Sequence, residues 1–105
     1  MEQQLHNIPK MLFDLENLLK KQIEHVRQDN IREVEALAER TDHLVEEMSG
    51  YGVFKSPEFE QRRGEFEQLY CKLRLAVSSG KARTGEQLKR LRKAKKTVVT
   101  YRKNI

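Results

Sequence analysis

Ile8, Leu12, Leu15, Leu19 and Val26 recur at steps of three and four residues, with Gln22 standing where another apolar residue would fall. That period predicts a helix over residues 8–28. Asn7 is positioned to cap it, and Pro9 suits a first turn, where its missing N–H does little harm. Met11, Phe13, Leu18 and Ile23 lie beyond the seam, so the apolar arc is wider than one partner helix needs. Either a further helix of the same bundle or an outside partner would cover it.

The spacing resumes after a polar break. Asn30 followed three residues later by Glu33 is a capping-box arrangement, and Ile31, Val34, Leu37, Thr41, Leu44, Val45 and Met48 continue the stripe, predicting a second helix over 30–48. The glycines of "SGYGVF" end it. In "FKSPEFEQ", Ser56 is the expected N-cap and Pro57 the first helical residue, and Glu58 and Glu60 sit at the positive end of the helix dipole. From there a heptad-like stripe runs through Phe59, Phe66 and Leu73 and through Arg63, Tyr70 and Val77, predicting a helix over 57–78.

The same register extends to Ala94 and Tyr101 and to Thr84, Leu91 and Val98, across two glycines that each weaken a helix by ~1 kcal/mol. The last stretch, 84–103, is therefore expected either to continue the third helix or to fold back from it at a hinge within 78–85. The architecture that follows is a single all-α domain spanning 1–105. It is an antiparallel helical hairpin plus a long third helix, coiled-coil-like, closing as a three- or four-helix bundle.

Composition adds one fact of weight to this picture. The net charge of +5 conceals a split, because residues 1–50 carry 6 Lys/Arg against 11 Asp/Glu and residues 51–105 carry 15 against 5. If the halves fold together, the charges match in part and orient them. Within 84–103, Thr84, Leu88, Leu91, Ala94, Val98 and Tyr101 share one side of a helical wheel, and Lys89, Arg92, Lys93, Lys96 and Lys103 share the other. Such a basic face packs on protein through its apolar side, or offers charge to phosphates.

Candidate chemistry is sparse. His6, His25 and His43 are too scattered for a metal set, no glycine-rich phosphate loop is present, and the carboxylates follow helix-surface spacing. No catalytic residue, metal or cofactor is expected. Cys71, the single cysteine, reads as a small buried or semi-buried thiol. The amino terminus lacks the pattern of a secretory signal and no window approaches a membrane span, so a cytoplasmic protein without membrane insertion is expected.

The layout "LFDLENLLKKQIEHVRQDNIREVEALAERTDHLVEEM", then a loop, then a long segment ending in "LKRLRKAKKTVVTY", resembles the flagellar export chaperones of the FlgN and FliT type. It departs from them in its basic charge and in Arg102, where a glycine usually follows the family's tyrosine. The resemblance implies a small helical type III export chaperone. Such a protein binds the disordered amphipathic terminus of a flagellar axial subunit (hook-filament junction protein, cap or flagellin), prevents premature assembly and delivers it to the export gate. By the same resemblance, Leu88, Leu91, Val98 and Tyr101 are the partner-binding positions. The residues by themselves leave two alternatives: a small basic helical protein on nucleic acid or ribonucleoprotein, or a self-associating coiled-coil subunit such as a homodimer.

Overall fold

The computed structural model describes the backbone of residues 2–79 and 83–105 and the side chains of residues 8–79 and 83–105. Four helices follow in chain order: α1 (Glu2–Arg27), α2 (Ile31–Gly50), α3 (Pro57–Ser78) and α4 (Gly85–Asn104). A single 3₁₀ turn, Val53–Lys55, precedes α3. Helix α3 thus ends at Ser78 and α4 begins at Gly85 as a separate helix, giving four helices among the described residues; residues 80–82 of the expected hinge lie outside the described residues.

The turns explain where the helices stop. At the end of α1 the Asn30 amide donates to the His25 carbonyl at 2.9 Å and the Asp29 amide to the Val26 carbonyl at 3.2 Å. Asp29 has φ +60°. This is a Schellman closure with an aspartate in the left-handed position that glycine usually fills. Asn30 is consumed by that closure. Its side-chain amide turns back to donate to Gln28 Oε1 at 3.2 Å and makes no cap bond to α2. The expected Asn30–Glu33 capping box is therefore absent, because the same residue cannot face both helices.

Two other expectations about helix ends are also corrected. Helix α1 begins at Glu2, ahead of Asn7, since "EQQLHN" holds no helix breaker; Pro9 lies inside the helix, donating no i→i−4 bond. Thr84 sits at the N-cap of α4 and is exposed, away from the apolar side on which the wheel placed it. Its hydroxyl accepts from the Gln87 amide at 3.2 Å, and its own amide donates to Gln87 Oε1 at 3.1 Å. That is a complete capping box. The Ser56 cap and Pro57 start of α3 are as expected, with the Phe59 amide donating to Ser56 Oγ at 3.2 Å.

Around the bundle the order is α1, α2, α4, α3. Helix α2 packs chiefly on α4, α1 lies against both α2 and α3, and the α3–α4 contact is lighter. Each sequential hairpin is antiparallel, so α1 runs with α3 and α2 with α4. Leu15, Leu19, Phe66, Tyr70 and Leu73, the expected bundle builders, are all buried. The wide arc of α1 is covered from within, with Met11 and Ile23 buried and Leu18 half-buried, while Phe13 remains exposed. Cys71 is exposed, contrary to expectation, because it falls one step off the Phe66, Tyr70, Leu73 seam. Among the described residues no helix is long and apolar enough to cross a membrane.

The two caps give opposite mutational outcomes. Thr84→Ala should destabilise the protein by ~1 kcal/mol, within the usual range for losing a capping side chain. Asn30→Ala should leave stability nearly unchanged, because its side chain caps nothing. Urea denaturation of both variants beside the parent chain measures the difference.

Candidate functional site

The four expected partner-binding residues do not share one surface. Leu91, Val98 and Tyr101 are 2%, 6% and 1% exposed, whereas Leu88 is 54% exposed. Helix α4 turns the first three into the core, and Leu88 lies only one turn past the Thr84 cap, on the outward side. Of the four, only Leu88 is exposed.

Tyr101 is the centre of an aromatic cluster. Its ring stacks on Tyr70 with centroids 3.9 Å apart, meets Phe54 edge-on at 5.9 Å, and lies 6.4 Å from Phe59. Phe59 in turn stacks on Phe66 at 5.8 Å. Such pairs each add ~0.5–1.5 kcal/mol beyond the area they bury. The hydroxyls fare worse than the rings. Tyr101 Oη is 3.4 Å from Glu67 Oε1, at the long limit of a hydrogen bond, and Tyr70 Oη has no hydrogen-bond partner among the described residues. Burial holds both phenols above their ordinary pKa.

Between α3 and α4 these rings border a cleft of about 180 Å³, lined by Glu67, Tyr70, Cys71, Arg74, Val98 and Tyr101. The α2 side of α4 is different in kind. Ala38 and Ala94 let the two helices approach closely, and the buried Thr97 hydroxyl reaches the Ala38 carbonyl at 3.4 Å. Thr41, also buried, donates to the Leu37 carbonyl at 2.7 Å and accepts from Gln22 Nε2 at 2.8 Å. The gap in the α1 stripe at Gln22 is thus filled by a polar residue tied to α2.

Charge reinforces this contrast. Lys93 pairs with Glu39 and stands 3.8 Å from Glu35, and Arg90 reaches Glu35 at 3.9 Å and Glu86 at 2.9 Å. The hydrogen-bonded Lys93 lowers the pKa of Glu39. On the α1–α3 side Arg62 bridges to Glu16 at 2.9 Å, and Lys20 and Arg62 together lower the Glu16 pKa. Lys89, Arg92, Lys95, Lys96 and Lys103 remain exposed on α4, with no carboxylate within salt-bridge distance among the described residues. Sequence reasoning placed this face correctly but could not tell that Lys93 is spent on α2.

Two measurements follow from the polar groups. Tyr70→Phe removes a buried hydroxyl that has no partner, so it should stabilise the chain by ~1 kcal/mol and raise Tm by a few degrees. Burial also raises the pKa of Asp42, against the opposing pull of the Thr97 hydroxyl and Lys96. The folded state therefore holds this proton more tightly than the unfolded chain. The resulting stabilisation is full below the unfolded pKa of ~3.9 and is lost as pH rises through the folded value. Asp42→Asn should match the parent near pH 3 and exceed its Tm increasingly toward neutrality, as thermal unfolding from pH 3 to 7 would record.

Comparison of the chain with protein-family models, with curated proteins and with solved structures returned no match.

Proposed function

We propose that the protein is a non-enzymatic, cytoplasmic chaperone of the flagellar or related type III export kind, which holds an amphipathic segment of an axial subunit until delivery to the export gate. The observation that carries this reading is the inequality of the two sides of α4. On α2 the helix is closely packed and ion-paired; on α3 it faces a small cleft, a tyrosine hydroxyl without a hydrogen-bond partner among the described residues, and a lighter contact. A partner helix gains most by entering on the α3 side. There it would displace α4 locally and meet Val98 and Tyr101, with Leu91 uncovered as α4 swings and Leu88 already outside. Apolar anchors at three- and four-residue spacing on the incoming segment would replace those of α4. The order gained by that segment weakens net affinity and favours hand-over.

The exposed cations of α4 favour a second reading, in which the protein lies on nucleic acid or ribonucleoprotein. Phosphate contacts release counterions, so that binding would fall steeply with salt, whereas an apolar seam tolerates it.

Cys71, exposed and at the edge of the α3–α4 cleft, supplies the test. The 105-residue chain, untreated or alkylated at Cys71 with a bulky maleimide, is used to capture proteins from a lysate of the native cell, with and without nuclease treatment. Recovery of one exported filament-type subunit, retained at high salt and lost on alkylation, is the expected result. Disappearance of all partners on nuclease treatment would overturn the chaperone reading in favour of the second.

A further inference from the structure

Arg83 lies one residue before the Thr84 cap, at the end of the bundle where the α1–α2 turn also sits. Its side chain is only 8% exposed. Among the described residues neither Nε nor Nη1 has a hydrogen-bond partner. The carboxylate that approaches it, Asp29 Oδ1, stands 3.8 Å from Nη2 and belongs to a side chain that is 72% exposed. That distance is too long for a hydrogen bond, and water screens the charge. A buried lysine could shed its proton, but a guanidinium stays charged at any pH a protein meets. Two donor nitrogens of a buried cation are thus without a hydrogen-bond partner among the described residues, and such groups are rare enough in folded proteins to require an explanation.

The surroundings supply one. Arg83 lines a cleft of about 500 Å³ between the C-terminal ends of α1 and α3. Arg27 and Lys72 add two further cations, and Asp29 is the one acid on the wall. Neither Arg27 nor Lys72 has a carboxylate within salt-bridge distance among the described residues, unlike Arg62, Arg90 and Lys93. The rest of the wall is largely apolar, with Val26, Ala76 and the exposed Leu75. A solvated basic face would carry its charge outward; here the central guanidinium is turned in, beside aliphatic surface.

The geometry points to an oxyanion-binding site in this cleft, for a carboxylate or phosphate group carried on an apolar body. Guanidinium donors suit both anions, and charge-assisted hydrogen bonds to them are the strong ones. The aliphatic wall favours a carboxylate with an aliphatic neighbour over a bare phosphate. The site lies away from the α3–α4 seam and does not depend on the chaperone reading.

The test is a titration of the ¹⁵N-labelled 105-residue chain at fixed ionic strength with three probes: N-acetylleucine, acetate and inorganic phosphate. Saturable shifts at the amides of Arg27, Asp29, Ala76 and Arg83 are expected, with N-acetylleucine binding several-fold tighter than acetate. Phosphate binding tightest would keep the oxyanion site and assign it to a phosphate group. Arg83→Met should weaken binding at least tenfold while leaving Tm in probe-free buffer equal or higher, because it removes a buried charge whose one carboxylate within reach among the described residues is the exposed Asp29, 3.8 Å away. Should that variant fail to fold, Arg27→Gln and Lys72→Gln, both at exposed positions, should each weaken binding about threefold. No saturable shift with any probe, or unchanged affinity in these variants, overturns the site.

Discussion

Helix α4 must lie on α2, and the rest of the bundle follows from that docking. Helix α2 holds six acidic and two basic residues, and α4 holds eight basic and one acidic; α1 and α3 each hold four of either sign. Placed against α1 or α3, α4 would meet no net attraction. Placed against α2, it finds Glu35 and Glu39 opposite Arg90 and Lys93. Exposed pairs of this kind stabilise by only ~0–1 kcal/mol each. What they decide is which neighbour α4 takes, since a four-helix chain with similar apolar seams can close in either rotational order. Once α4 is on α2, α3 closes the ring between α1 and α4, and Arg62 with Glu16 marks its contact with α1.

Apolar packing then closes the end of the barrel-shaped core. Tyr101 reaches from the last turn of α4 to Phe54, Phe59 and Tyr70, so the final helix is fastened to the 3₁₀ turn and to α3. The rings gain by burial, but their hydroxyls enter a region poor in partners. The same residues therefore hold the α3–α4 seam together and limit its strength. Across the bundle, the Thr41 and Thr97 hydroxyls and the Gln22 amide nitrogen bond to carbonyls and side chains of close neighbours, while Gln22 Oε1 and Asp42 Oδ1 have no hydrogen-bond partner among the described residues.

The stripe period made the helices legible, together with the members of the core on each. Leu15, Leu19, Phe66, Tyr70 and Leu73 are buried as their spacing predicts, and Gln22 falls in the core as its place in the stripe requires. Helix ends were harder to read, because one residue type serves several closures. Asn30 has the right sequence context for a cap yet completes the turn before it, and Thr84 continued a heptad register while in fact beginning a helix. The signal for the latter was present in the Thr84–Gln87 spacing. The exposure of Leu88, Leu91, Val98 and Tyr101 was illegible for a different reason: periodicity says which side of a helix is apolar but not whether the bundle already covers that side. Arg83 carried no signal at all, since its burial arises from helix ends brought together only in the fold.

The asymmetry of α4 bears on how any exchange could proceed. Detaching the helix completely would expose Leu91, Val98 and Tyr101 at once, and fully burying side chains of that size stabilises by ~1.5–3 kcal/mol apiece. The sum is comparable with the whole stability of a small domain. Opening on the α3 side alone is far less demanding, because the Ala38, Ala94 and Thr97 approach and the Lys93 and Arg90 pairs stay in place. A partner segment entering there would recover the aromatic contacts that the opening gives up. It would still find no hydrogen bond for Tyr70 unless it brought one. A polar side chain on the incoming helix, placed among its apolar anchors so as to meet that hydroxyl, would then be favoured in the bound state by a group that remains unsatisfied in the closed one.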